Sequence, residues 1–409
     1  MRVLQINTVC GRGSTGIIVT EIADLLKKTG HEAYVAYGHG QSDYPNSYKI
    51  GNSLDHKIHA FIFSRVLGEQ GLGSYWSTKK LIKWIDTIEP DLIHIHTLHA
   101  NYIHFPLLFR FLNNRRIPVV WSFFDCWPFT GKCTHFTAVG CRKWETGCHH
   151  CDYLNLGAKT YFFDRTRKLF HLKQKWCAQL PNLDIIVCSN WLKGEVERSI
   201  YKGRPIHMIY NWIDFNKFKQ IEDDSIYEKY DLDRAKKIIV SVSAEWNDSN
   251  TRLEDAIKLS TMLPSSYQLV IIGRLKTSRI LPSGLRHISF VNGTEELSKL
   301  YSAATVYVNF SIEDTFGKVI AEAMLCGTPA IVFNSTACPE VVGDVGFVVE
   351  PHDYEAIIRI IEDVDAQGKG TFSERCINHV RERFDYHKNV SQYINLYEDV
   401  LKRIESNEV

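Results

Sequence analysis

MRVLQINTVCGRGSTGIIVTEIADLLKKTGHEAYVAY, residues 1–37, runs as strand, glycine-rich loop, helix and strand. Residues 3–6 are a short apolar run that suits a buried strand. GRGSTG, residues 11–16, makes a tight loop. Ile18, Ile22, Leu25 and Leu26 then recur at helical spacing, and Gly30 ends the helix. Residues 32–37 return to a strand. Two strands joined through a helix lie parallel, so this unit predicts a parallel sheet with crossover helices.

The alternation continues outward. Strands are expected at 92–96, 118–121, 184–187 and 206–209, with helices at 81–88, 107–113 and 191–199. A polar stretch, 214–236, breaks the pattern and has the composition of a linker. A second alternation begins at 238–242. Its strands are 269–272, 287–290, 306–309, 330–332 and 346–349, with helices at 253–262, 294–302, 317–325 and 354–363. The chain's 409 residues exceed one ordinary core. The fold class is α/β, with two doubly wound, Rossmann-like domains at 1–212 and 213–385, and a final helix at 386–409 that packs back on the first. Such sheets bind ligands beyond the carboxyl ends of their strands.

The net charge of +1 gives no reason to expect nucleic acid as a partner. The charge is uneven, however: residues 1–212 carry 26 Lys and Arg against 16 Asp and Glu, and the remainder carries 22 against 31. The first half therefore suits an anionic partner such as a membrane surface. The first residues do not have the pattern of a secretion signal, and no apolar run is long enough to cross a bilayer. The expected place is the cytoplasm, peripheral to the inner membrane face.

SIEDTFGKVIAEAMLCGTP, residues 311–329, carries the chemistry. Asp314 and Glu322 are eight positions apart, around the start of a helix. A helix start offers backbone N–H groups and a positive dipole end to a diphosphate, and carboxylates accept hydrogen bonds from sugar hydroxyls. A plain capped helix also carries acids at this point. The whole string resembles the E-x7-E signature of retaining glycosyltransferases of family four, with Asp314 in place of the first Glu. DLIHIH, residues 91–96, is similar to that family's D-x-x-H-x-H strand end, and residues 11–16 to its first glycine loop. YNWID (210–214) resembles P-N-G-x-D, and TACPE (336–340) resembles T-G-G-x-x-E without the glycines. IHIHTLHANYI and FFDCWPFTGKC are similar to capsule and exopolysaccharide members.

The resemblance implies a GT-B fold, with two domains facing across a cleft and the nucleotide sugar gripped by the second. It implies that Asp314 binds the transferred sugar and Glu322 the ribose. It also implies that the N–H groups of Phe316 and Gly317 hold sugar and diphosphate, and that Gly13 and Ser14 approach from the first domain. The family's usual Lys-Gly is missing from SVSAEWNDSNTRLEDA (241–256). The candidate cations are therefore Arg252, Arg274, Lys276 and Lys318. His96, then His99, is the candidate to lie over the sugar, and Asp125 to bind an acceptor or orient a histidine.

The implied reaction is retaining transfer of a hexosyl unit from a nucleotide-diphosphate sugar to a glycan. The expected acceptor is a lipid-linked oligosaccharide in bacterial surface polysaccharide synthesis. No catalytic metal is expected. The alternatives are a nucleotide-sugar epimerase of the same fold and a non-catalytic nucleotide- or glycan-binding protein.

Two further segments stand out. Cys133, Cys141, Cys148 and Cys151 have spacings x7, x6 and x2, within the cysteine-rich loop 126–151. Four thiolates so placed suit a structural zinc, which would order a long loop; buried thiols are the plain reading. HKIHAFIFSRVL, residues 56–67, places Ile58, Phe61, Ile62 and Val66 at helical spacing beside Lys57 and Arg65. That pattern fits either a core helix or a membrane-facing one.

Overall fold

The computed structural model describes residues 1–155, 157–249 and 251–407. The last two residues of the helix expected at 386–409 therefore lie outside the described residues. The chain folds as two compact units, Met1–Ile209 with Val390–Val409, and Tyr210–Asn389.

In the first unit, Arg2–Asn7 (β1) buries every residue after the first. Such a run suits a central strand covered on both faces. Glu32–Tyr37 (β2), Ser47–Lys49 (β3), Leu92–Ile95 (β4), Val119–Phe123 (β5), Leu183–Val187 (β6) and Ile206–Met208 (β7) complete the sheet. The order is β3-β2-β1-β4-β5-β6-β7, with every pairing parallel. The winding reverses between β1 and β4.

The second unit repeats the plan. Its strands are Lys237–Asn247 (β8), Tyr267–Lys276 (β9), Leu285–Ile288 (β10), Val306–Asn309 (β11), Ala330–Phe333 (β12) and Phe347–Val349 (β13). Their order is β10-β9-β8-β11-β12-β13, again all parallel. The reversal falls between β8 and β11. Ile239, Leu269, Ile271, Val306, Val308, Ile331 and Phe333 form its core with Leu253, Leu259, Ile357 and Ile361 from the covering helices. Each such side chain contributes roughly 1.5–3 kcal/mol by leaving water.

The stretch 214–236 holds a short helix, Ser225–Lys229. A helix at Gly370–Arg383 lies outside the sequence expectations. The helix Tyr386–Asn407 contributes its part from Val390 onward to the first unit. Tyr397 Oη and His94 Nδ1 lie 2.6 Å apart in the core. Arg403 holds the buried Asp184 through both nitrogens, and His207 Nε2 contacts the same carboxylate at 2.7 Å. These partners hold the Asp184 carboxyl below its ordinary range although burial pushes it up. Its stabilising effect is therefore present above the usual carboxylate pKa and is lost as pH falls through the lowered one. Asp184→Asn should cost about 1–3 kcal/mol, read as a lower urea midpoint for the first unit at pH 7. The difference from wild type should shrink below about pH 4.

Candidate functional site

Both reversals carry the chemically distinctive residues at the carboxyl ends of their strands, where doubly wound sheets take ligands. In the second unit the chain leaves β11 through a fixed set of turns. Asn309 Oδ1 accepts from Ser311 N–H at 3.0 Å, and Ser311 Oγ donates to Glu313 O at 3.1 Å. Asp314 N–H donates to Thr336 Oγ1 at 3.1 Å, and Asp314 O accepts from Ala337 N–H at 3.2 Å. Asp314 Oδ1 accepts from Phe316 N–H at 3.4 Å. That N–H, expected to hold the ligand, thus lies beside Asp314's own side chain in an Asx turn. The Phe316 ring is buried, with its centroid 5.1 Å from that of Phe384.

Gly317 takes a left-handed conformation, φ 90°, and a Cβ there would lie 2.6 Å from Ile320 Cδ1. Only glycine turns the chain here into the helix Lys318–Leu325, whose start has no side-chain cap. Lys318 and Glu322 are one turn apart on this helix. Burial raises the Glu322 carboxyl to about 6, with Lys318 opposing. The buried phenol of Tyr307 is pushed far up by burial, then by Asp314 and Glu322. One interior group thus senses both carboxylates.

The candidate cations separate. Arg252 Nη2 donates to Ser311 Oγ at 2.7 Å and Nη1 to Ser243 Oγ at 3.4 Å, bridging the loops after β8 and β11. Arg274 and Lys276 instead pair with Glu245 at 3.1 and 2.6 Å, along the outer ladder of β8 and β9. The geometry places Arg252 at the strand reversal, and the other two beside a carboxylate that already balances them.

Sequence reasoning missed a recess of about 600 Å3 at the carboxyl ends of β8, β9 and β10. Ser243, Gly273, Arg274, His287, Phe290 and Leu297 line it. Phe290 is 75 % exposed there. Gly273 has φ 129°, and a Cβ on it would strike Ser243 O. The signal was Gly273 directly after an apolar strand. Tyr210, which stands where the family pattern has Pro, donates from Oη to Glu340 Oε1 at 2.6 Å and accepts from Arg383 Nη2 at 2.8 Å.

In the first unit Gly13 and Ser14 are exposed at the start of the helix Gly13–Lys28, which has no capping side chain and no acid in its first turn. Such a start is open to an anion. His96 is not at the surface. It is 2 % exposed, its Nε2 lies 2.9 Å from Gln5 Oε1, and burial drops its pKa to about 3. β4 is covered on both faces, so a histidine just beyond its end still points into packed structure. The accessible histidine is His99, whose Nε2 lies 2.7 Å from Asp125 Oδ2.

Protein contacts hold much of the cysteine-rich loop. Lys173, fully buried, donates to Trp127 O at 2.6 Å and Thr130 O at 2.9 Å, and its Nζ lies 3.6 Å from the Trp127 ring centre. Lys132 donates to Leu154 O and Ala158 O, and Phe129, Phe136 and Trp144 form an aromatic cluster. Burial raises the Cys133 thiol to about 12 and the Cys148 thiol to about 11. All four thiols are free, and among the described residues no three His, Cys, Asp or Glu are placed to hold a metal ion.

The segment 56–67 departs from a core helix. His59 Nε2 accepts from the N–H groups of Gly71 and Gly73 at 3.1 and 3.2 Å, and turns His56, His59 and Ser64 inward. Ile58, Phe61 and Ile62 are left 46, 53 and 41 % exposed, and Val66 is half-buried. Tyr161 N–H donates to Arg65 O at 2.7 Å, which brings the exposed Tyr161, Phe162 and Phe163 beside them. No helix among the described residues is long and apolar enough to cross a membrane.

This pairing of two doubly wound units, with an acid–helix–acid element on the second, defines a GT-B glycosyltransferase. Residues 15–217 match the family described as Glycosyltransferase Family 4, and residues 236–365 match Glycosyl transferases group 1. The chain belongs to the glycosyltransferases of family four. It is 24 % identical over 232 residues to N-acetyl-alpha-D-glucosaminyl L-malate synthase of Bacillus anthracis, covering 53 % of this chain and 60 % of that protein. It is 45 % identical over 73 residues to O-antigen chain mannosyltransferase B of Escherichia coli, 18 % of this chain and 19 % of that one. The chain thus spans less than two thirds of either relative's length. A 41.2 kDa protein of the Klebsiella pneumoniae cps region is 22 % identical over 326 residues, 78 % of this chain and 81 % of that protein. Among solved structures, sucrose-phosphate synthase of Thermosynechococcus elongatus superposes with a TM-score of 0.68 at 15 % identity, covering 98 % of this chain and all of that one. Anabaena HepE in complex with UDP gives 0.66 at 16 %, with the same coverage. These superpositions establish the fold.

Gly273→Ala should lower the stability of the second unit by about 2–4 kcal/mol, through overpacking and backbone strain. Chemical unfolding measures the loss; a substitution costing nothing would mean that β8 and β9 do not approach as described.

Proposed function

We propose that the protein transfers a hexosyl unit from a nucleotide-diphosphate sugar to a glycan acceptor, with retention of configuration. The observation that carries this reading is the grouping of Asp314, the start of the helix Lys318–Leu325, Glu322 and Arg252 around one strand reversal. Arg252 and Lys318 neutralise the diphosphate. Glu322 accepts from the ribose hydroxyls, and Asp314 from the transferred sugar. The recess beside Phe290 takes the nucleobase, stacked on the ring. In the first unit, Gly13 and Ser14 at the uncapped start of their helix offer N–H groups to an anion. In the transfer the bond from the anomeric carbon to the leaving phosphate oxygen breaks. A bond to the acceptor oxygen forms on the same face, and the acceptor proton passes to the phosphate. No protein base is needed.

The acceptor we assign is a lipid-linked oligosaccharide of surface polysaccharide synthesis. Ile58, Phe61, Ile62 and Phe162, set among Lys57, Arg65 and Arg165, suit an anionic bilayer surface.

Asp314→Asn and Glu322→Gln should each lower turnover of the accepted nucleotide sugar by about 100-fold or more and leave the fold intact. Mass spectrometry of products from a panel of nucleotide sugars reads this out. Near-normal turnover in both folded variants would remove the site.

Glu322 must be ionised to accept two ribose hydroxyls. Affinity for UDP or GDP should therefore fall as pH drops through about 6. The same raised pKa makes the group favour folding at low pH and lose that contribution as pH rises through about 6. Binding and stability should thus move in opposite directions in calorimetric titrations, and Glu322→Gln should flatten both.

Liposome binding should require anionic lipid and weaken with salt, and replacing Lys57 and Arg65 by Glu should reduce it while sparing donor hydrolysis. Equal binding to neutral and anionic vesicles, or none to either, would contradict a membrane role for this surface.

A further inference from the structure

We propose that Tyr210 is a positioning residue for Asp314: its phenol clamps Glu340, and with it the strained segment 335–340 that holds the Asp314 backbone. This rests on the glycosyltransferase reading, in which Asp314 accepts from the transferred sugar. It adds a residue that the family pattern does not supply at this place.

Asp314 is held by the segment that follows β12. Its N–H donates to Thr336 Oγ1 at 3.1 Å, and its carbonyl accepts from Ala337 N–H at 3.2 Å. Thr336 presents its hydroxyl from a left-handed conformation, φ 51°. A β-branched residue is an outlier there, and such strain persists only where the surroundings over-determine it. On the upstream side the segment is fixed by Ser335 Oγ, which donates to Ile312 O at 2.8 Å. On the downstream side it runs into the helix Cys338–Val342, whose five residues are too few to hold a helix by themselves.

Two outside groups hold that short helix. His379 Nε2 lies 2.9 Å from Val341 O, and Tyr210 Oη donates to Glu340 Oε1 at 2.6 Å. Burial, then Glu340, raises the Tyr210 phenol to about 12, so it keeps the proton that it donates. A hydroxyl this close to a carboxylate makes one of the stronger hydrogen bonds. Arg383 Nη2 donates to the same phenol oxygen at 2.8 Å, and its guanidinium carbon lies 5.3 Å from the Tyr210 ring centre. The hydroxyl is therefore aimed from two sides.

The ring of Tyr210 reaches the other side of Asp314. Its centroid lies 6.2 Å from that of Phe316 and 5.3 Å from that of Phe384, edge-on to the latter. Phe316 opens the glycine turn after Asp314, and its N–H is the one that the Asp314 side chain receives. One residue thus contacts the turn that orients the Asp314 carboxylate and clamps the segment that holds its backbone. Proline, which the family pattern has at this position, offers neither a hydroxyl nor an aromatic face.

The test uses the full chain, with Tyr210→Phe, Glu340→Ala and the two together. Donor hydrolysis and transfer are measured on a panel of UDP-, GDP- and ADP-sugars, UDP and GDP binding by calorimetry, and folding by thermal melting. Tyr210→Phe keeps the ring and loses only the hydroxyl. Its kcat should fall roughly 10–100-fold, because a small misplacement of a group that orients the reacting sugar is costly. UDP and GDP lack the transferred sugar, so their affinity should stay at the wild-type value. Glu340→Ala should lower kcat by a similar factor, and the double variant should be no slower than the worse single one, since both changes remove the same contact. A purely structural tie would lower the melting temperature and leave kcat of the folded protein unchanged. Wild-type kcat in folded Tyr210→Phe, or losses that multiply in the double variant, beside an inactive Glu322→Gln, would overturn this proposal and leave the glycosyltransferase reading standing. A wild type that turns over no nucleotide sugar would overturn both.

Discussion

Every strand in both sheets runs parallel to its neighbours, so each connection must cross back over the sheet. The winding starts at a central strand and can reverse direction only by leaving two adjacent strands whose connections depart to opposite sides. In this chain those pairs are β1 with β4 and β8 with β11. The loops beyond their carboxyl ends part there, and the chain's exposed helix starts, glycine turns and acids collect at that edge. Gly13 and His99 in the first unit, and Arg252, Asp314 and Gly317 in the second, all depend on it.

Positioning at these edges is achieved largely by the loops' own polar atoms. Asp314 is tied by its backbone to Thr336 and Ala337, and its side chain receives the Phe316 N–H. Arg252 is aimed by two serines from two different loops. His99 is aimed by Asp125, which is itself fixed by the Trp127 N–H. Groups fixed this way lose little freedom when a ligand arrives, which favours affinity.

The sheet plan was legible because buried parallel strands are apolar runs bounded by loops, and nearly all of them stood out. β3 did not: Ser47–Lys49 is a three-residue edge strand with every residue half-buried, so no alternation marks it. The helix Gly370–Arg383 was hidden because its inward face is Ser373, Cys376, His379 and Val380, half of it polar, so no apolar stripe marks it. In residues 311–329 the residue types and spacing were readable, but not the Asx turn that draws the Phe316 N–H to Asp314. His96 and His99 were indistinguishable as letters; what separates them is that packing on both faces of the sheet extends past the end of β4. Beside the cysteine-rich loop, Lys173 would read as solvated from sequence, whereas it is buried under the backbone carbonyls of Trp127 and Thr130. In residues 56–67 the spacing left a core and a surface face equally possible; what decides is that hydrogen bonds to His59 turn His56, His59 and Ser64 inward and leave Ile58, Phe61 and Ile62 exposed.

The central claim is that the second unit holds a nucleoside diphosphate at the reversal between β8 and β11. Hydrogen–deuterium exchange of the full chain, with and without saturating UDP or GDP, tests it most directly. The account predicts slower exchange in two places: the amides around residues 311–322, and those of residues 273–275 and 289–291 beside the Phe290 recess. Protection confined to other segments, or none with any nucleoside diphosphate, would contradict it.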